Sequence, residues 1–193
     1  MKLKYIFYLT LLCITPLISC NNCEKLHLTQ NDKNWVDYFV PNQSFYFKNS
    51  NGRVDTIMVV DTANRYTLCN KFELSEYQYE IYRVDFKIIS SNLYNQIEPS
   101  ITVTTQEWQK HNPYIHFGNL GPHQNDLENK MPIAIDTVLN GVKLKSVYYY
   151  AKGLNTEQYG DKEYFKNFFW SKELGLMAYT TESNELFLRI DKQ

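Results

Sequence analysis

The chain has 193 residues, a formal net charge of −1 at pH 7 and a hydrophobic content of 44%. Its balanced charge and the lack of a basic stretch argue against nucleic acid as a partner. The length suits one domain with its own core. Aromatic residues are abundant, with 16 Tyr and 11 Phe. Because these residues favour a half-buried pleated surface, the composition predicts a β-rich protein; a surface that stacks sugars would use the same residues.

The first 19 residues have the three parts of an export signal. Lys2 and Lys4 are positive, residues 5–14 are largely apolar, and the small Ser19 ends the segment. The apolar run is shorter than the roughly 20 residues that a spanning helix needs. Loss of this segment with its two lysines would change the formal charge from −1 to −3.

The stretch Leu17–Cys20 reads Leu-Ile-Ser-Cys. It resembles the lipobox of bacterial lipoproteins, in which the cysteine thiol receives a diacylglycerol and the freed amine a further acyl chain. The resemblance implies that residues 1–19 are a lipoprotein signal peptide and that Cys20 is the lipid attachment site. Position 21 is Asn rather than the Asp that signals inner-membrane retention. The resemblance therefore implies an outer-membrane protein, on either the periplasmic or the surface side of that membrane. The alternative is an ordinary secretory signal with an accidental cysteine.

Residues 20–28 are predicted to be a lipidated tether, and residues 29–193 a single β-rich domain. Cys23 and Cys69 remain once the signal is removed and Cys20 carries lipid. A disulfide between them can persist outside the cytoplasm, although two free thiols fit the sequence equally well. The Cys20-x-x-Cys23 spacing is typical of redox and zinc sites, but a lipidated sulfur can serve neither purpose.

Residues 29–39 predict a short helix with Thr29 or Asp32 as its cap and Pro41 beyond its end. The helix is expected to pack across an open end or face of the sheet with one aromatic side: Trp35, Tyr38 and Phe39.

Strands are predicted at 44–48 and 53–60, joined by Asn51–Gly52 as a two-residue type I′ turn. That register would place Lys48 opposite Asp55. Alternation of apolar and polar residues predicts further strands with one buried face at 82–88 and 101–105. Short strands are predicted at 66–69 and 114–117, and a loop at 118–130.

A second hairpin is predicted from strands at 133–139 and 142–150, joined by Asn140–Gly141. The register pairs Leu139 with Val142 and sets Asp136 opposite Lys145. One face would then carry Ile133, Ile135, Leu139, Val142, Leu144 and Tyr148. Because Tyr148–Tyr150 are consecutive, at least one of their rings must face away from the core.

Residues 164–190 predict three strands with breaks at 172–174 and 182–184. Residues 168–176 read Phe-Phe-Trp-Ser-Lys-Glu-Leu-Gly-Leu. This order resembles the closing strands of small, mostly uncharacterised β-rich lipoproteins of the Bacteroidota lineage, so it implies topology rather than activity. The whole pattern predicts a mainly β fold with one short N-terminal helix. A single antiparallel curved sheet, as a half-barrel or incomplete barrel, is preferred over a two-sheet sandwich.

Candidate chemistry is sparse. The spacing of the histidines and nearby carboxylates at 111–128 matches no zinc pattern, so neither a metal nor a cofactor is predicted. No nucleophile turn, Walker loop or dinucleotide fingerprint is present, and no catalytic residue is assigned. Four carboxylates could form a glycosidase pair, but solvated turns explain them more simply: Asp161, Glu163, Glu173 and Glu185.

Three Asp-Thr-apolar triplets resemble the acceptor for O-glycosylation in exported Bacteroidota proteins. Thr56 and Thr62 are the candidate modification sites, whereas Thr137 should point inward in the predicted hairpin.

The sequence therefore favours a lipid-anchored envelope protein that binds a partner or supports an assembly without catalysis. The first alternative is a carrier or receptor for lipids or other hydrophobic ligands, which resembles the half-barrels of lipoprotein sorting, with Trp35 and Phe39 lining its lid. The second alternative is an envelope hydrolase.

Overall fold

The computed structural model describes residues 23–69, 77–89, 99–105, 114–117, 120–121, 132–154, 156–158 and 165–190. Within these ranges the chain forms thirteen strands and a helix of a single turn. The helix is α1 (Gln30–Lys33). The strands are β1 (Glu24–Leu26), β2 (Ser44–Asn49), β3 (Val54–Tyr66), β4 (Tyr77–Ile88), β5 (Ser100–Thr104), β6 (Tyr114–His116), β7 (Leu120–Gly121), β8 (Ala134–Leu139), β9 (Val142–Ala151), β10 (Glu157–Gln158), β11 (Phe165–Ser171), β12 (Gly175–Thr181) and β13 (Leu186–Arg189).

The main sheet consists of two antiparallel meanders. Its order is β6-β5-β4-β3-β2-β13-β12-β11-β9-β8, and the meanders meet where β2 pairs with β13. Strand β1 is an exception because it pairs parallel to β4, and β7 and β10 form a separate small sheet. The main sheet is not closed into a barrel. The predicted mainly β architecture with one open antiparallel sheet is therefore confirmed.

The N-terminal elements differ from the predictions in length. Thr29 is the N-cap of α1, and its side chain and that of Asp32 bond reciprocally to each other's backbone N–H groups. The helix ends at Lys33, however, and residues 34–38 continue as turns. Residues 24–26 lie in the predicted tether but form β1, because they pair with Tyr77–Tyr79. The folded body thus begins only a few residues after Cys20.

Two other boundaries also differ. Strand β3 runs without a break from Val54 to Tyr66, because a register shift between Val59 and Asp61 lets its polar second half keep pairing with β4. Strand β7 lies inside the predicted loop at 118–130. The C-terminal prediction is confirmed, since turns at 172–174 and 182–183 separate the last three strands.

The β2–β3 hairpin has a different register from the predicted one. Its loop has three residues, 50–52, because the backbone N–H of Asn49 bonds to the carbonyl of Arg53. Gly52 has φ +84°, the left-handed conformation that such loops require at this position. Phe47 rather than Lys48 therefore lies opposite Asp55, so the predicted Lys48–Asp55 pair is wrong. The shift turns Asp55 into the core, where it is 1% exposed.

The β8–β9 hairpin forms the predicted turn, with Leu139 paired to Val142. Asn140 and Gly141 have φ values of +46° and +82°, as a type I′ turn requires.

A bulge in β9 then changes the register of this hairpin. Ser146 has φ +50° and its N–H donates to the carboxylate of Asp136 at 2.9 Å, so this bond replaces the predicted pairing of Asp136 with Lys145. Beyond a bulge, side chains exchange faces of the sheet. Tyr148 accordingly packs against the main core and not on the face that buries Leu144, which corrects the predicted stack.

Both faces of the C-terminal meander bury apolar side chains. One face joins the main core, which contains the fully buried rings of Phe47, Phe117, Phe165, Phe168, Tyr179 and Phe187. The other face carries a second cluster: Leu144, Val147, Phe169, Ala178 and Leu188. The consecutive tyrosines divide between the two, as strand alternation demands. Tyr148 and Tyr150 contact the main core, and the Tyr149 ring lies 4.9 Å from that of Phe169.

Candidate functional site

The N-terminal segment is fastened to the sheet by a group of contacts that we call the N-terminal clasp. It consists of a disulfide between Cys23 and Cys69, the pairing of β1 with β4, and the bonds around Glu80. The Cα atoms of Cys23 and Cys69 are 6.1 Å apart, within the usual range for a disulfide. Because Cys23 lies three positions after Cys20, the clasp holds the chain close to the predicted lipid site.

Glu80 of β4 is the polar centre of the clasp and is 2% exposed. Its carboxylate accepts the Leu28 N–H at 2.8 Å and the Asn64 side-chain amide at 2.9 Å. The Lys33 ammonium lies 3.4 Å away and His27 Nδ1 3.6 Å away. Burial acts to raise the pKa of Glu80, but the bonds from Asn64 and Leu28 and the Lys33 charge outweigh it. The pKa therefore lies below its usual value.

The turn between β11 and β12 supports the segment that follows α1. The Ser171 hydroxyl accepts the N–H groups of Glu173 and Leu174, both at 3.3 Å. Gly175 has φ +79°, and a Cβ there would lie 2.8 Å from Phe39 Cζ and 3.0 Å from the Tyr38 hydroxyl. Close approach of residues 38–39 thus explains why the Ser-Lys-x-x-Gly element needs its glycine.

An open depression of about 430 Å³ lies between the segment after α1 and this turn, lined by Asn34, Asp37, Tyr38, Lys172 and Glu173. The size falls within the range of small-ligand sites. The lining offers an amide, two carboxylates and an ammonium group, beside the ring of Tyr38. Lys172 also donates to Asn31 and lies 5.7 Å from the centre of the Trp35 ring. The depression can therefore hydrogen-bond a small polar ligand or the polar surface of a partner.

The Tyr38 hydroxyl and Trp170 Nε1 are buried polar atoms without a hydrogen-bond partner of good geometry in the described part of the chain. Burial raises the pKa of the Tyr38 phenol well above its usual range, and the nearby Arg189 charge and Trp170 side chain only partly oppose this effect. Arg189 is itself buried; it donates to the carbonyl of Leu174 and lies 4.2 Å from the centre of the Phe45 ring.

The two predicted lid residues, Trp35 and Phe39, pack against other aromatic rings. The Phe39 ring lies 4.9 Å from Phe86, 5.8 Å from Phe45 and 6.1 Å from Trp170, centre to centre. Trp35 lies 4.9 Å from Tyr148. The two predicted lid residues therefore belong to the packed core.

The candidate glycosidase carboxylates do not converge where the structure describes them. Glu173 lies in the turn before β12 and Glu185 follows β12. A seven-residue strand separates them by roughly 20 Å, whereas glycosidase carboxylates lie about 5–9.5 Å apart. Glu185 instead accepts Arg53 and Asn49, both at 3.1 Å. Asp161 and Glu163 lie outside the described residues.

His116 lies in β6. Burial is the main effect that lowers its pKa, and the charge of Arg83 lowers it further. Among the described residues no group of three or more His, Cys, Asp or Glu side chains could hold a metal ion. The other members of the predicted histidine and carboxylate group lie outside the described residues: His111, His123, Asp126 and Glu128.

The candidate glycosylation sites both lie in β3. Thr56 pairs with Tyr46, and the preceding Asp55 is buried. Thr62 pairs with Val84, and the preceding Asp61 is exposed. An enzyme that recognises both the Asp and the Thr of the folded chain could reach only the second of these sites.

Comparison of the chain with protein-family models, curated proteins and solved structures finds no match. Within the described ranges, no helix has the length and apolar run needed to cross a bilayer.

Sequence reasoning did not single out Glu80, Asn34, Asp37 or Lys172 as site residues. Glu80 could have been suspected as a charged residue just before the alternating pattern of β4. The residues of the depression carry no comparable signal, because the contact between the α1 segment and the β11–β12 turn joins positions more than 130 residues apart.

Proposed function

We propose that this protein is a non-catalytic binding or assembly module of the bacterial outer membrane, anchored by lipid on Cys20. The Leu-Ile-Ser-Cys order supplies the attachment site. The observation that carries the proposal is the N-terminal clasp, which fixes the chain from Cys23 onward to the sheet. Residues 21 and 22 alone separate Cys20 from Cys23, so a lipid on Cys20 would hold the body close to the bilayer surface.

The depression at the α1 segment and the β11–β12 turn is the proposed binding surface. Its two carboxylates and one ammonium give it a net charge of −1, which favours neutral or cationic polar groups over anions. Its rim lies on a segment and a turn that are packed against the core through Phe39 and Trp170. A rigid rim of this kind presents its polar groups with little loss of entropy on binding.

The anchor is tested by membrane fractionation of cells that express the full chain or its Cys20→Ala variant. We expect the wild-type protein in the membrane pellet, because two or three acyl chains give stable anchoring. The variant should be found in the soluble fraction, with an unchanged circular dichroism spectrum. Cys13→Ala is the matched control, since Cys13 lies in the signal and should have no effect. Pelleting of a folded Cys20→Ala variant would overturn the proposal.

A further inference from the structure

Strand β8 ends the main sheet and carries apolar side chains on both faces. It pairs with β9, and no other described strand pairs with it. Ile135 is 40% exposed and Val138, on the opposite face, is 63% exposed. Natural edge strands are usually protected by charged residues, above all lysine, by proline, by a bulge or by a covering element. Residues 133–139 contain one charged residue, Asp136, and neither lysine nor proline. Apolar residues on both faces are typical of a strand that is covered on both sides.

The sequence of β8 is complementary to itself in one antiparallel register. If Thr137 lies on a two-fold axis, it faces Thr137 of a second copy, and Ile135 of each copy faces Leu139 of the other. Thr–Thr and apolar pairs are both favourable across strands. Asp136 would face Val138 and not its own symmetry mate. Its carboxylate accepts the Ser146 N–H of the same chain, which directs it toward β9.

The same register would extend an apolar surface that already exists. Leu139 packs against the second cluster, together with Val142 and Tyr149. Side chains two apart on a strand share a face, so Ile135 lies on the side of Leu139. Pairing would place the second copy's Ile135 and Leu139 in line with this cluster. The second clusters of the two copies would then form one continuous apolar surface across the symmetry axis.

We infer that β8 is a homodimer interface, in which a second copy of this chain adds its own β8 antiparallel to the first, centred on Thr137. The dimer is isologous, since the same strand is used by both copies and the assembly closes. This inference does not depend on lipid attachment. A soluble or an anchored chain would present the same strand.

The first test measures the mass of the purified full chain in detergent by light scattering during gel filtration. We expect twice the protomer mass. Ile135→Lys should raise the dimer dissociation constant by roughly tenfold or more, because it replaces the apolar Ile135–Leu139 pair with a charged residue opposite leucine on both sides of the axis. Val54→Lys is the matched control, since Val54 is 42% exposed in β3 and its variant should remain dimeric. A wild-type monomer at micromolar concentration, or an Ile135→Lys variant that dissociates no more readily than the wild type on dilution, would overturn the inference.

The second test addresses the register. Thr137→Cys should form an intermolecular disulfide under mild oxidation, because paired Cβ atoms lie about 4.5–5.5 Å apart across a strand pair. Val40→Cys, at a site 61% exposed on another part of the surface, should not cross-link. A dimer that fails to cross-link at position 137 would contradict pairing of β8 about this residue.

Discussion

Glu80 keeps a buried negative charge because the clasp supplies donors on both carboxylate oxygens. The Leu28 N–H, the Asn64 amide and the Lys33 ammonium all lie within 3.4 Å of it. Buried charges are tolerated when they are hydrogen-bonded and paired in this way. Removing the charge should loosen the N-terminal segment before the rest of the sheet.

The Glu80→Gln variant should therefore be less stable by about 1–3 kcal/mol at pH 7, as measured by urea denaturation. Because the pKa of Glu80 is lowered in the folded protein, its contribution is present above the usual value near 4.5 and is lost as the pH falls below it. The stability difference between wild type and variant should shrink through that window. Glu24→Gln, at an exposed site of β1, is the control. A difference that stays constant down to pH 3 would contradict this role.

Gly175 has no Cβ, and this lets the segment after α1 pack against the β11–β12 turn. Gly175→Ala should destabilise the protein by about 1–3 kcal/mol more than a change that only strains the backbone, because the new methyl group would overlap Phe39 and Tyr38.

Gly153→Ala provides the comparison for Gly175→Ala. Gly153 has φ +74°, and a Cβ there would meet nothing within 4 Å. Thermal unfolding of both variants separates backbone strain, which they share, from the clash, which only Gly175→Ala has. Equal losses for the two variants would show that the α1 segment does not pack on this turn as described.

At the scale of elements, the N-terminal segment is short and has little core of its own. Strand β1 has three residues and α1 has four. Its position depends on the disulfide, which links residues 46 positions apart. Closing a loop of this length restricts the unfolded chain by about 4 kcal/mol in the chain-entropy model.

We therefore expect a Cys23→Ser, Cys69→Ser double variant to be about 2–4 kcal/mol less stable than the wild type. The measurement is urea denaturation of both proteins, each with and without dithiothreitol. Reductant should lower the wild-type midpoint to that of the variant and leave the variant unchanged. A wild-type midpoint that does not respond to reductant would contradict the disulfide.

The elements that the sequence predicted best are those with strong local signals. Asn140–Gly141 defined its turn, and the breaks at 172–174 and 182–184 separated the closing strands. The bulge at Ser146 had no such signal, because its left-handed conformation depends on the bond to Asp136 across the hairpin. Asn51–Gly52 predicted the wrong turn because Gly52 also suits a three-residue loop. In the register of that loop, Asp55 is buried beside the Tyr179 hydroxyl, 2.5 Å away.

For the whole molecule, composition and alternation predicted one open antiparallel sheet, but not how its two meanders join. The β2–β13 pair connects residues about 140 positions apart, and no local pattern encodes such a contact. The depression depends on the same kind of long-range packing. Cys23 and Cys69 could be named as candidates from the sequence, whereas their joint role with Glu80 required the fold.

In the proposed protein, the Cys23–Cys69 disulfide holds a β body directly behind a lipid-bearing Cys20. Mass spectrometry of the natural protein, digested without reduction, measures both parts of this claim at once. We expect a mature chain that begins at a lipid-modified Cys20, with a peptide containing Cys23 linked to one containing Cys69. A chain that retains Met1, or an unmodified thiol at position 20, would contradict the account.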